Sequence, residues 1–175
     1  NTFVSCIMKN NSLDINNIFT IQNDTLNQAA EIKQYDRENH IVRYSDLLPR
    51  LFCDFPLLGT HDFAFPVVIN SRAFDPTEPR NGIFLYGDNG ERNRNILKDA
   101  CSLYASMIDY FIKNNYKDLY NIVFLPSIES KDWINKDWYD REVIEMLKSQ
   151  IKGFPIFQML DGSTKSLEDE WGLED

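Results

Sequence analysis

His61 and Asp62, with Asp54 before them and Glu78 after, are the residues of this chain whose types best suit acid–base chemistry. A histidine beside a carboxylate can serve as a general base with an orienting partner. The spacing is poor for that role, because neighbours in an extended chain point to opposite sides. No serine or cysteine stands in a nucleophile motif, so His61 reads as an exposed loop histidine. His40, the other histidine, sits in a charged turn. Two isolated histidines without cysteines at ligand spacing do not build a typical zinc site. Cys6, Cys53 and Cys101 are widely spaced among apolar neighbours and read as buried free thiols of a reducing compartment. A free-standing enzyme with an acid–base or metal site of Asp54, His61, Asp62 and Glu78 is the alternative reading. It requires those groups to converge in one pocket.

Two further segments can hold an anion. Asp75–Gly82, sequence DPTEPRNG, is a loop stiffened by Pro76 and Pro79, with Gly82 free to adopt positive φ. Glu78 and Arg80 either brace this loop by pairing, or the loop presents Arg80 to a ligand or neighbouring domain. Tyr86–Arg94, sequence YGDNGERNR, places Arg92 and Arg94 at the start of a helix, where backbone N–H groups favour an anion. Neither GxxxxGK[ST] nor GxGxxG occurs, so a nucleotide loop is not supported and a solvated turn is the simpler reading. Trp133, Trp138 and Tyr139, set among Asp132, Asp137 and Asp140, suit either an interface or the partly buried first turn of a helix.

The elements that position these residues follow from periodicity. Apolar residues from Ile96 to Ile112 recur at three- and four-residue steps, which predicts a helix over about Asn93–Asn114, capped by Asn93 or Asn95. A second helix is predicted from Asp137 or Asp140 to Lys152, with Val143, Ile144, Leu147 and Ile151 inward and Gly153 as its stop. A further helix over Asp24–Lys33 is weaker. Strands are predicted at Phe3–Met8, Ile18–Ile21, Ile41–Tyr44, Phe63–Ile69, Ile83–Tyr86 and Ile122–Leu125. Leu47–Phe55, broken by Pro49, is an edge strand or extended segment. Phe154–Leu160, the Asp161–Gly162 turn and Thr164–Leu167 read as a hairpin. The expected fold class is α+β: a sheet of several short strands packed by two main helices. It forms a single unit over 1–175, or a mixed sheet with the long helix over 1–130 plus a helix–hairpin appendage over 131–175.

Apolar residues make up 43% of the 175 and aromatics 13%, enough for a core. The net charge of −9 argues against nucleic acid, whose phosphates need a basic surface. No apolar run approaches the roughly 20 residues of a membrane helix. No charged-then-apolar leader opens the chain, so a cytoplasmic protein is expected. Phe3–Met8 already reads as a buried strand, and the chain stops with Trp171 and Leu173 still apolar, whereas natural ends commonly fray in polar residues. A piece of a longer protein is therefore expected.

Residues 51–85, LFCDFPLLGTHDFAFPVVINSRAFDPTEPRNGIFL, carry a resemblance. FPLLGT, FPVVINS, F-x-PTE-x-R and NGI-F-L resemble the segment that follows the ATP-binding domain in large bacterial ATP-binding proteins related to sacsin and to the ninety-kilodalton heat-shock chaperones. Asn95, Leu97, Ala100 and Tyr104 suit the helix that follows there, and PIFQMLDGSTKSL resembles the sacsin-type strand–turn–strand. The likeness spans residues 48–167. It implies a transducer-like middle domain of a chaperone-like ATPase, with ATP and Mg held by a preceding domain and none by this chain. The acidic–asparagine helix and D-x-G-x-G of that domain do not occur here, although LNQAAE at Leu26–Glu31 superficially resembles the helix. Partners implied are the ATP-binding domain and a protein client. A basic residue of the middle domain is implied to reach the terminal phosphate, and Arg80, then Arg92 and Arg94, are the candidates.

Overall fold

The computed structural model describes residues 2–10, 13–22, 39–123, 125 and 131–169, with side chains at 2–6, 39–123, 125 and 131–169. The helix expected at Asp24–Lys33 and the apolar Trp171 and Leu173 lie outside the described residues.

The larger sheet grows around its first strand. Thr2–Asn10 (β1) and Leu13–Gln22 (β2) form an antiparallel hairpin, longer than the short strands expected there. Asn39–Val42 (β3) pairs antiparallel with the Ile7–Asn10 end of β1. Leu51–Phe52 (β4) runs parallel to Val68–Ser71 (β5), which pairs antiparallel with Thr2–Ser5. The order is β2-β1-β5-β4, with β3 also on β1. The register sets Val4 and Leu51 on either side of Ile69, and all three are fully buried. Cross-strand neighbours share a face, so this row forms the inner surface of the sheet.

Glu91–Lys113 (α1) lies against that sheet and follows a 3-10 turn at Asp88–Gly90. Its buried stripe of Leu97, Ala100, Cys101, Tyr104, Met107, Ile108 and Phe111 is the one the periodicity predicts. Each large side chain on it contributes about 1.5–3 kcal/mol by leaving water. The helix ends at Asn114, followed by Asn115 at φ +56°, a left-handed conformation that asparagine tolerates. The second helix joins Lys136–Tyr139 (α2), a π turn at Asp140–Ile144 and Glu145–Gly153 (α3). Asn135 caps it by accepting the Trp138 N–H at 3.2 Å, ahead of the starts expected at Asp137 or Asp140. Val143, Ile144, Leu147 and Ile151 are buried as predicted. Phe157–Gln158 (β6) pairs with Thr164–Lys165 (β7) around Asp161–Gly162, Gly162 having φ +84°. Side chains of Trp133 to Ile156 enter the same hydrophobic cluster as those of β1 and α1. The fold is of mixed α and β type, with two main helices and small sheets. No described helix is long and apolar enough to cross a membrane.

Three predicted strands differ. Phe63–Val67 is irregular and only Val68 onward is strand: every residue from Phe63 to Val67 is buried, Pro66 has no N–H to donate, and the Phe63 N–H is satisfied by the Thr60 carbonyl at 3.1 Å. Ile83–Tyr86 alternates buried and exposed as a strand would. Its partners are not a strand: Ile83 bridges Pro76, and the Leu85 N–H reaches the Trp133 carbonyl at 3.1 Å. Ile122 belongs to a 3-10 turn, Leu119–Ile122, whose last carbonyl accepts the Tyr104 hydroxyl at 2.8 Å.

Candidate functional site

Arg80 stands where two short loops meet. The first, after β4, turns sharply at Asp54, whose φ is +59°. The Asp54 N–H donates to Asn70 Oδ1 at 3.1 Å, and its carboxylate takes Arg72 Nε at 2.5 Å. Buried Thr60 closes this loop by donating to the Leu57 carbonyl at 2.8 Å and accepting the Leu51 N–H at 3.1 Å. The second loop, Asp75–Phe84, is closed by the Pro76–Ile83 bridge and by the Thr77 N–H on the Gly82 carbonyl at 2.9 Å. Within it Arg80 has φ +66°, and its side chain lies over the ring of Phe55, 4.9 Å from the centroid. Asp54 and Arg80 both lie in the left-handed region, which aspartate tolerates and arginine seldom adopts, so the backbone at Arg80 is held there by its surroundings.

Asn93 and Trp133 hold the second loop from behind. Asn93, fully buried in the first turn of α1, accepts the Asp75 N–H at 2.8 Å and donates to the carbonyls of Asp75 (2.8 Å) and Phe84 (2.9 Å). It is therefore a loop anchor and not the cap expected of it. Gly82, read from sequence as a source of positive φ, has none. What the site needs there is room: a β-carbon at Gly82 would stand 2.2 Å from Cε2 of Trp133. Trp133 itself is stacked on Phe63 (5.9 Å), which meets Tyr139 edge-on (5.2 Å). Trp133 and Tyr139 are buried and Trp138 is half-buried in the short helix Lys136–Tyr139, so of the two readings of this cluster the buried one describes Trp133 and Tyr139. Tyr139 donates its hydroxyl to the Ala64 carbonyl at 2.8 Å.

The three candidate arginines occupy three different surroundings. Arg94 donates to the carbonyls of Leu85 (2.9 Å) and Gly87 (3.0 Å), a brace beneath the turn. Arg92 is exposed on a groove of about 570 Å³ that it shares with the carboxylates of Asp75, Asp88, Glu91 and Asp99. Arg80 forms no ion pair with Glu78 or with any other described carboxylate, so the brace expected between them is not made. A guanidinium on an aromatic face keeps its planar fork open for an oxygen anion, and the stack contributes about 0.5–1 kcal/mol at such an exposed position.

The acid–base set does not share one environment. Asp54 is taken by Arg72, and Asp62 by Lys131 at 2.8 Å, while His61 and Glu78 are exposed. His40 is in β3, not a turn, and contacts Asp118 at 2.6 Å through Nδ1. Among the described residues no group of His, Cys, Asp and Glu is disposed to hold a metal ion. Cys6 and Cys101 are buried, and burial pushes both thiols up to about 12. Cys53 is only half-buried. Its thiol is raised first by desolvation and then by Asp54, with Arg80 pulling the other way. A thiol-reagent titration is expected to count Cys53 alone in the native chain and all three thiols after unfolding. Its alkylation should keep accelerating as pH passes the ordinary thiol value of 9.0, because a raised value leaves less thiolate at each pH. Fast native reaction of Cys6 or Cys101 would contradict this packing.

Comparison with family models, with curated proteins and with solved structures finds no match. Sequence reasoning missed Phe55, Asn93 and Trp133 as parts of this site. The FPLLGT and NGI-F-L motifs hold Phe55 and Gly82, but nothing local signals the partners Arg80 and Trp133.

Proposed function

We propose that this chain is the coupling domain of a chaperone-like, sacsin-like cytoplasmic ATPase. In this reading turnover resides in a preceding ATP-binding domain, which holds ATP and Mg, and the chain relays nucleotide state to a partner or client. Arg80 is the residue that meets the terminal phosphate. The observation that carries the reading is the Arg80 guanidinium: without an ion pair to any described carboxylate, laid on Phe55, and set on a loop anchored to α1 through Asn93 and packed at Gly82 against the ring of Trp133. An open guanidinium fork binds phosphate bidentately, and in a closed interface it stabilises charge that develops during transfer. Arg92 is a weaker candidate because the groove it lines is also lined by four acidic residues, whose charge opposes a phosphate. Arg94 is weaker because its donors are committed to carbonyls.

Arg80→Ala in the polypeptide of the complete reading frame is expected to lower ATP turnover by about a thousandfold or more, the range of arginines supplied to a transferring phosphoryl group. Arg92→Ala should leave turnover near that of the unaltered protein. Arg80→Lys, which keeps the charge and loses the fork, should fall between. Unchanged turnover in Arg80→Ala would remove Arg80 from the reading.

A further inference from the structure

The chain holds two asparagine–glycine pairs, Asn81–Gly82 and Asn89–Gly90, and the fold treats them oppositely. Asparagine is a thermolabile residue. It is most labile before glycine, whose nitrogen has no side chain beside it and reaches the asparagine Cγ in a five-membered ring. That nitrogen must be uncommitted for the ring to form. At Asn89–Gly90 it is committed: the Gly90 N–H donates to the carbonyls of Tyr86 (3.0 Å) and Gly87 (3.3 Å), inside the 3-10 turn that leads into α1. At Asn81–Gly82 the Gly82 N–H donates to no described residue, while its carbonyl accepts from Thr77. Asn81 is exposed and lies outside helix and strand. The carbonyl to be attacked is already polarised. The Thr77 hydroxyl donates to Asn81 Oδ1 at 2.7 Å, the distance at which a donor stabilises the oxyanion formed when nitrogen adds. The Arg80 N–H on the Thr77 carbonyl at 2.5 Å keeps the two residues together across the turn.

We propose that Asn81 is a site of spontaneous covalent conversion, in which the Gly82 nitrogen expels the side-chain amide of Asn81 as ammonia and water then leaves a carboxylate on the residue next to Arg80. A base of the solvent takes the Gly82 amide proton, the bond from that nitrogen to Cγ forms, and the Thr77 hydroxyl holds the oxyanion. The Cγ–Nδ2 bond then breaks, and the nitrogen departs as ammonia with a proton from water. Water opens the cyclic imide at one of its two carbonyls. Opening at Cγ restores the ordinary backbone with aspartate. Opening at the main-chain carbonyl gives isoaspartate, with one more methylene in the backbone. No electrons are exchanged. Either product adds a negative charge beside a guanidinium that has no ion pair with a described carboxylate, and this charge opposes any other anion there. Conversion thus retires the phosphate contact of Arg80 with age, and this consequence alone rests on the coupling reading above.

The experiment holds the 175-residue chain at mildly alkaline pH and body temperature, folded or in urea, and digests it with trypsin. Both pairs fall in one peptide, 81–92, so fragment-ion mass spectrometry reads the change from amide to acid at each position in the same molecule. In the folded chain Asn81 is expected to convert at least about tenfold faster than Asn89, because Asn89 reacts only when the start of α1 opens. In urea the two should convert at similar rates. Folded Asn81 no faster than Asn89, or unconverted while the urea sample reacts, would overturn the proposal and leave the coupling reading untouched. Asn81→Asp in the complete polypeptide reads the consequence. The position is exposed, so folding is not at stake. ATP turnover should fall at least about tenfold as the added charge opposes the phosphate. Full turnover in Asn81→Asp with turnover lost in Arg80→Ala would overturn the retirement of Arg80. Full turnover in both would remove Arg80 from the coupling reading and leave the conversion at Asn81 standing on the mass measurement.

Discussion

Replacing Gly82 with alanine is expected to destabilise the fold by about 3 kcal/mol, the upper part of the range for overpacking a filled site. The added methyl would stand 2.2 Å from Cε2, and 2.5 Å from Cδ2 and Nε1, of the Trp133 indole. The ring has nowhere to swing. It is buried and stacked on Phe63, and its own carbonyl accepts the Leu85 N–H at 3.1 Å. The loop cannot retreat either, because Thr77 bonds to the Gly82 carbonyl at 2.9 Å and Asn93 holds both loop ends. Urea unfolding should show the midpoint falling by about 1–2 M at a slope of about 2 kcal/mol per M. Gly153→Ala is the control. Nothing lies within 4 Å of its added carbon, so it should be neutral or slightly stabilising. Trp133→Leu in the Gly82→Ala background should give back part of the loss, since a smaller side chain relieves the clash. A Gly82→Ala midpoint indistinguishable from the parent's would contradict this packing.

Asn93→Leu is expected to cost about 3 kcal/mol for a different reason. The amide is fully buried and makes three hydrogen bonds to backbone groups at Asp75 and Phe84. Leucine fills the volume and leaves one N–H and two carbonyls without that partner, at about 1–3 kcal/mol for each group that finds no water. Asn93→Asp should be at least as damaging. It keeps the acceptor for the Asp75 N–H and turns its second oxygen, with charge, toward two carbonyls. The loss should register locally as well as globally. Hydrogen exchange at the Thr77 and Arg80 amides should quicken more than exchange in the middle of α1, because the loop is released before the core. Equal acceleration at both places would mean that Asn93 supports the core and does not specifically anchor the loop.

The two helices were legible because their apolar residues repeat at a helical period over many turns, and only their ends moved. The hairpin at Asp161–Gly162 was legible from its turn residues. Phe63–Val67 was misread because aromatic and β-branched residues favour strands on average, yet here all five positions are buried, which leaves no solvated face for alternation to reveal. Ile83–Tyr86 was read as a strand; its buried and exposed positions alternate as a strand's do, but it pairs only through the Pro76 bridge and the Trp133 carbonyl, and Trp133 is distant in sequence and leaves no local trace. Asn93 looked like a cap since asparagine ahead of an apolar run usually is one, but loop 75–84 claims its amide instead. The site was legible only in part. Arg80 stood out for its loop, while its conformation at φ +66° and its seat on Phe55 depend on tertiary packing that no spacing encodes.

The most direct measurement is calorimetric titration of magnesium–ATP into the 175-residue chain and, in parallel, into the polypeptide of the complete reading frame. The account predicts no saturable heat from the chain alone and a saturable isotherm from the complete polypeptide. A saturable isotherm from the chain alone, or none from the complete polypeptide, would contradict it.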